Sequence, residues 1–377
     1  MKPRLHLFII WERSLGKKDI ILEDLKNEYT IREVFEIKWK AAEFMKNLKR
    51  FYGNKLPNAS LKAKECGKGS FLLVLISDNN PKLEKTALDD INQVEINSSA
   101  FNSKQKYRKW VGGGFQIHAS NSDEETKHDL TLLFGKKIEV IENDLPKKWD
   151  GVIKKMGEQN LTGHDGWKNM TQFFDVLNST TNYIVLRSFE ELPEKILHKD
   201  LDILTDDVKS MSIIINGEGN SVDLPIIIDG KKVSIDFRYQ MGHHYEEKWS
   251  KEILKKRILF KNSFYVPCKE DYFYLLFFHN MRTNSKKYNE KLEQLATEIG
   301  IKENIVEILS NNLKSKKFMA KYMKKMGYNE TNFISRLIYK IKNNEMMRLV
   351  NASIFLVKTY GIVFFLKKVK LKIKNTL

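Results

Sequence analysis

Cysteine is scarce in this chain: Cys66 and Cys268 are the only two among 377 residues. They lie too far apart in sequence to supply a framework of bridges or a thiolate-bound metal, and they suit a reducing compartment. Long apolar runs are missing as well. The first apolar stretch, Leu5–Trp11, is broken by His6 and is too short for a signal peptide. No stretch reaches the roughly 20 residues that cross a bilayer, so the expected location is the cytoplasm. No internal repeat and no long disordered tract stands out. What is present is 42% hydrophobic and 30% charged residues, a folded composition in a chain long enough for more than one domain. A net charge of +17 draws the protein to polyanions without choosing among nucleic acid, nucleotide phosphates and anionic lipid.

Alternating strand and helix patterns over residues 1–140 predict an α/β first domain. Leu5–Trp11 and Phe71–Ser77 are buried-strand runs, the second closed by the turn Asp78-Asn79-Asn80-Pro81. Ile20–Tyr29 has helical spacing. Ser122-Asp123-Glu124-Glu125 is a capping box that opens a helix ending before Gly135. A polar connector is expected over 141–179, with Pro146, Trp149 and Trp167. Strands are predicted at Tyr183–Leu186, Asp200–Leu204, Ile213–Ile215, Pro225–Ile228 and Val233–Tyr239, in a second domain over 180–300. From Trp249 the pattern is helical, and 301–377 reads as a helical region with a basic tail.

In Lys199-Asp200-Leu201-Asp202-Ile203-Leu204, strand alternation puts both aspartates on one face and Leu201 and Ile203 on the core face. In Val233-Ser234-Ile235-Asp236-Phe237-Arg238 the polar side carries Asp236. Three carboxylates on neighbouring strands would repel by roughly 4 kcal/mol per pair at about 4 Å and an effective dielectric of about 20, which calls for a cation. Mg²⁺ is the hard ion that binds a few carboxylates and leaves places for substrate phosphates. The stretch Tyr183–Ser188, then Asp200-Leu201-Asp202, then Ile235–Arg238, resembles nucleotidyltransferases of the polymerase-beta type. Tyr265-Val266-Pro267 and Glu270–Leu276 with His279 look like the helical part of bacterial members, which accompany cell-surface polysaccharide synthesis. The resemblance covers about residues 180–285. It implies a nucleotidyltransferase-fold mixed sheet with Asp200, Asp202 and Asp236 as catalytic and metal-binding residues. Arg187 and Ser188 would sit at the nucleotide, standing where the family has Gly-Ser.

Gly114–Ser122, with His118 at the end of a short strand, resembles the active-site signature of nucleoside diphosphate kinases. The match continues through Glu124, Asp129-Leu130 and Leu133-Phe134. Phe51-Tyr52 and the Gly69–Ser77 strand fall where the family has a helix and its central strand. Across about residues 1–135 this implies a ferredoxin-like, kinase-type domain. His118 would accept phosphate there, Asp129 would orient the imidazole in place of the family's glutamate, and Arg108 and Tyr52 would lie at the nucleotide. Trp11-Glu12-Arg13 replaces the family's first-strand lysine region, and Phe115 its asparagine.

Gly112-Gly113-Gly114 reads either as a phosphate cradle or as a plain turn before His118. His243-His244 reads as loop contacts near an acceptor site or as metal ligands. The apolar runs Ile354–Val357 and Ile362–Leu366, followed by Lys367, Lys368, Lys370, Lys372 and Lys374, read as an interfacial helix drawn to anionic lipid or as a packed terminal helix with a solvated tail. The expected function is Mg²⁺-dependent transfer of a nucleotidyl or phosphoryl group from a nucleoside triphosphate. The acceptor would be a hydroxyl of a sugar or lipid-linked glycan intermediate in cell-surface polysaccharide synthesis, at the inner membrane face. Transfer to RNA or protein, and a non-catalytic scaffold, are the alternatives.

Overall fold

The computed structural model describes residues 3–53, 56, 59–87, 93–196, 200–216, 223–239, 245–283 and 286–328. The fold is mixed α/β and divides into two compact units. Residues 1–237 with 257–268 form one, and residues 238–256 with 269–377 the other. His243-His244 and the apolar and lysine-rich segment from Ile354 to Lys374 lie outside the described residues.

The first unit opens with β1 (Arg4–Ile10), α1 (Lys18–Glu28), β2 (Thr30–Trp39), α2 (Phe44–Tyr52), α3 (Ala59–Cys66) and β3 (Ser70–Asp78). There follow β4 (Leu83–Ala87), β5 (Gln93–Asn97), α4 (Ser98–Trp110), β6 (Ile117–Ala119), α5 (Asp123–Phe134) and α6 (Ile138–Asp144). Next come β7 (Lys154–Gln159), from the stretch read as a connector, and α7 (Met170–Thr180).

A five-stranded sheet runs β6-β1-β3-β2-β7. β1 lies antiparallel to β3, and on its other side Ile9 faces His118 of β6. β1 and β3 are buried along almost their whole length because helices and loops cover both faces, which is why they read as continuous apolar runs. One face packs Phe8, Ile10, Val74 and Ile76 with Ile21, Leu25 and Tyr107. Trp11, Trp39, Phe44 and Phe71 form a separate aromatic cluster with tilted and edge-on rings.

A second sheet, β10-β11-β9-β8, is built from β8 (Tyr183–Val185), β9 (Asp200–Thr205), β10 (Asp223–Ile228) and β11 (Lys231–Tyr239). Ile213–Ile215, expected as a strand, lies instead in the helix α8 (Val208–Asn216). Met211, Ile214 and Ile215 bury one face of that helix, and Asp207 caps it by accepting from Ser210 N at 2.9 Å. Burial overrides the strand preference of three consecutive isoleucines.

Arg50, fully buried in α2, ties α2 to this second layer. Its Nε donates to Ile214 O at 2.8 Å, and its Nη1 and Nη2 donate to Leu161 O at 3.3 Å and Thr162 O at 2.6 Å.

The second unit contains α9 (Glu247–Lys255). The chain then returns to the first unit through the ribbon β12 (Ile258–Phe260) and β13 (Phe264–Val266). It continues in the second unit with α10 (Lys269–Thr283), α11 (Asn289–Glu298), α12 (Ile305–Ser310) and α13 (Asn312–Lys325). Trp249, Phe273, Phe277 and Tyr322 supply its core. Among the described residues no helix is long and apolar enough to cross a membrane.

Candidate active site around His118

His118 sits on β6, and α5 begins directly after the strand. The turn between them is fixed by the capping box. Ser122 Oγ accepts from Glu125 N at 3.1 Å, and Glu125 Oε2 accepts from Asn121 N at 2.8 Å. One turn further along α5, Asp129 points back at the strand. The distance from His118 Nε2 to Asp129 Oδ2 is 2.7 Å, so the shorter side chain does reach the imidazole. Nε2 is the donor in this pair because an ionised carboxylate only accepts. In the neutral ring, that leaves Nδ1 of His118 with a lone pair. The second oxygen, Asp129 Oδ1, lies 2.9 Å from His128 Nδ1. Burial works to raise the Asp129 carboxyl, but hydrogen bonds from His118 and His128, and their charge, outweigh it and hold the group below its ordinary value.

α4 grips β6 on both sides of the histidine. Arg108 Nε donates to Ile117 O at 3.1 Å, and Lys104 Nζ donates to Ala119 O at 3.2 Å and to Asn121 Oδ1 at 2.7 Å. Phe51 and Tyr52, at the end of α2, stand edge-on to the imidazole with ring centres 5.5 and 5.3 Å away. Lys62 of α3 lies with its ammonium 3.1 Å from the Tyr52 ring centre and 5.2 Å from that of Phe115. Burial pulls both Lys62 and Lys104 down to about 8, and lowers Arg108 as well. Three basic side chains thus lie against the strand and the ring that flank the imidazole.

His118, Glu125 and Asp129 bring ligand atoms within 4.8 Å of one another. His118 and Asp129 already hydrogen-bond to each other and Glu125 to Asn121 N, and the neighbouring lysines and arginine favour an anion over a cation at this point.

At the end of the Gly112–Gly114 turn, the chain's own carboxylate takes the next backbone N–H. Glu65 Oε2 accepts from Phe115 N at 2.7 Å, and a Cβ on Gly114 would come within 2.5 Å of that oxygen. Lys62, Lys104, Glu125 and His128 have no part in the sequence reading as site residues. Glu125 was legible as the capping-box acid one helical turn before Asp129. The lysines carry no local signal, since they reach the site from other helices.

The aspartates of the second sheet are arranged differently. β9 and β11 are hydrogen-bonded neighbours, so Asp202 and Asp236 lie on adjacent strands. Asp236 is half-buried and stands opposite Asp223 of β10. Asp200 is exposed at the strand start. Asp202 does not share that open face: β9 is buried from Leu201 to Thr205, on both of its faces. Its carboxylate pairs with Arg187, whose Nη2 is 2.8 Å from each oxygen. Ser188, next to Arg187, adopts a left-handed backbone with φ of 54° at the turn where the resembled family has Gly-Ser. Comparison of the chain with protein-family models, with curated proteins and with solved structures finds no match.

Proposed function

We propose that this chain is a phosphotransferase in which Nδ1 of His118 carries the phosphoryl group. The observation that supports this most directly is the 2.7 Å bond from His118 Nε2 to buried Asp129, set among Lys62, Lys104 and Arg108. In this reading the Nδ1 lone pair attacks the γ-phosphorus of a nucleoside triphosphate. The bond from that phosphorus to the bridging oxygen breaks, and the nucleoside diphosphate leaves with the electron pair. The imidazole gains positive charge as the N–P bond forms, and Asp129 offsets it through the Nε2 proton. Lys104 and Arg108 hold the strand carbonyls. Lys62, whose ammonium rests on aromatic faces, is the cation placed to receive phosphate oxygens.

A second reading extends the first. The neighbouring strands that carry Asp202 and Asp236 favour nucleotidyl transfer at the second sheet. The acceptor would be a hydroxyl of a sugar or lipid-linked glycan intermediate in cell-surface polysaccharide synthesis. The donor chemistry of Asp200, Asp202 and Asp236 fits Mg²⁺, which would take over from Arg187 on Asp202 and, when bound, neutralise substrate phosphates. Arg187 would then turn to those phosphates, and Asp236 would assist deprotonation of the hydroxyl.

The test is incubation of the purified chain with Mg²⁺ and γ-labelled, then α-labelled, ATP, GTP, CTP and UTP. Acid-labile γ-label on wild type and none on His118→Ala supports the carrier. Transfer of α-label to an added acceptor, lost in Asp202→Asn, supports the second centre. Transfer to RNA or protein instead would replace the glycan acceptor. Absence of any nucleotide binding overturns the enzyme reading in favour of a scaffold.

A further inference from the structure

We infer that His128 is a positioning residue for the nucleophile. It occupies the second oxygen of Asp129 and so holds His118 in the tautomer whose Nδ1 is free to react. The catalytic consequence rests on the phosphocarrier reading given above, whereas the tautomer is a property of the resting chain.

The bond between His118 and Asp129 does not by itself place the proton. A separation of 2.7 Å between His118 Nε2 and Asp129 Oδ2 suits two arrangements. In one, the carboxylate is ionised and accepts the Nε2 proton, which leaves the lone pair on Nδ1. In the other, the carboxyl is protonated and donates to Nε2. The ring proton then sits on Nδ1 and the nucleophile is lost. Burial pushes toward this second arrangement, since Asp129 is only 3% exposed and a buried carboxylate loses its hydration. Nothing on the far side of the ring decides between them. Phe51 and Tyr52 stand edge-on to the imidazole, and no described residue hydrogen-bonds its Nδ1.

His128 breaks the tie. It precedes Asp129 on α5, and its Nδ1 lies 2.9 Å from Asp129 Oδ1. Its side chain is 26% exposed against 9% for His118, so it exchanges protons with water more readily. Neutral with the proton on Nδ1, or charged with a proton on each nitrogen, it offers Oδ1 an N–H. Two donors on one carboxylate favour its ionised form. Burial raises the Asp129 carboxyl, but hydrogen bonds from His118 and His128, and their charge, hold it below its ordinary value. An Asp129 kept ionised can only accept from Nε2, and the lone pair stays on Nδ1. Anchoring Oδ1 also stops the carboxyl group from rotating away from His118.

The experiment reads the ring nitrogens directly. Long-range proton–nitrogen correlation spectra are recorded on the isotope-labelled full chain at a pH where His118 is neutral. Wild type should show Nε2 protonated and Nδ1 bare. His128→Leu should move His118 toward the Nδ1-protonated tautomer. It should also lower acid-labile γ-labelling roughly 10- to 100-fold, the worth of one hydrogen bond to a charged group. His128→Asn, whose side-chain amide stands in for the Nδ1 proton, should restore the wild-type tautomer and most of the labelling. His128→Ala replaces His128→Leu if that variant loses its circular dichroism signature. An unchanged His118 tautomer in His128→Leu and His128→Ala overturns the inference, even if their thermal melts fall. So does a His128→Asn spectrum that matches His128→Leu. If wild type takes up no γ-label yet the tautomer follows residue 128, the positioning role stands and the phosphocarrier reading fails.

Discussion

Asp129 and Asp202 are buried to nearly the same degree, 3% and 6% exposed, and each is held by a side chain 2.7–2.8 Å away. Their partners make them different. Asp129 is paired with an imidazole that keeps a lone pair on its far nitrogen, so the carboxylate orients a nucleophile and leaves it reactive. Asp202 is paired with a guanidinium that is always charged, so the pair neutralises itself and waits for a competing cation. The first arrangement is ready for chemistry as it stands, and the second must be opened. A buried carboxylate therefore says little about function until its partner is known.

The largest effects should come from breaking the first pair. Asp129→Asn keeps the shape and removes the charge, and acid-labile labelling should fall about 10²- to 10⁴-fold, approaching the complete loss expected for His118→Ala. The second pair should respond to metal instead. Arg187→Ala removes the charge that balances buried Asp202 at 2.8 Å, which costs about 3–5 kcal/mol. Thermal melts should show that loss without Mg²⁺ and partial recovery with it, whereas wild type should gain little from the ion. A melt of Arg187→Ala that ignores Mg²⁺ would remove the metal from the second centre.

A smaller effect separates charge from shape around His118. Lys62 and Lys104 lie at about 8, below the ordinary 10.5, with burial the main cause. They lose their charge as pH rises through about 8, so labelling should decline above that point. Lys62→Arg should soften the decline because arginine stays charged. Stability should move the other way. A depressed lysine disfavours the fold while it is charged, so between about 8 and 10.5 the fold should gain stability as activity is lost. Parallel losses of both would mean that the lysines serve the fold alone. Smallest of all should be Gly114→Ala, which meets Glu65 at a backbone φ of +73°. A cost of about 1–2 kcal/mol in a denaturant titration is expected, with labelling retained.

The mixed α/β class, the buried β1 and β3, the cap of α5 and the pairing of His118 with Asp129 were all legible. The first three are written in local order, as apolar runs and a Ser-x-x-Glu box, whereas the pairing of His118 with Asp129 was implied by the resemblance to nucleoside diphosphate kinases. β7 was not legible. Its Lys-Lys-Met-Gly-Glu-Gln sequence is polar because it forms the edge of the sheet beside β2. α8 was misread because three isoleucines favour a strand until burial decides otherwise, although Asp207 marked the helix start. Alternation around Asp200 and Asp202 implied two equivalent acids, but β9 is buried from its second residue onward, which covers Asp202 and leaves Asp200 outside. The arginine that neutralises Asp202 is fifteen residues away on another segment. No sequence periodicity reports a contact of that kind.

Arg50 bears on how the first unit comes apart. Its guanidinium is shared between the carbonyl of Ile214 in one layer and those of Leu161 and Thr162 in the loop after β7. Peeling the second layer away would break the bond to Ile214, and fraying the loop would break those to Leu161 and Thr162. The two halves are therefore expected to open as one unit. Amide exchange in β3 and in β9 should converge on one opening free energy, and the two chemical centres should survive or vanish together as denaturant rises.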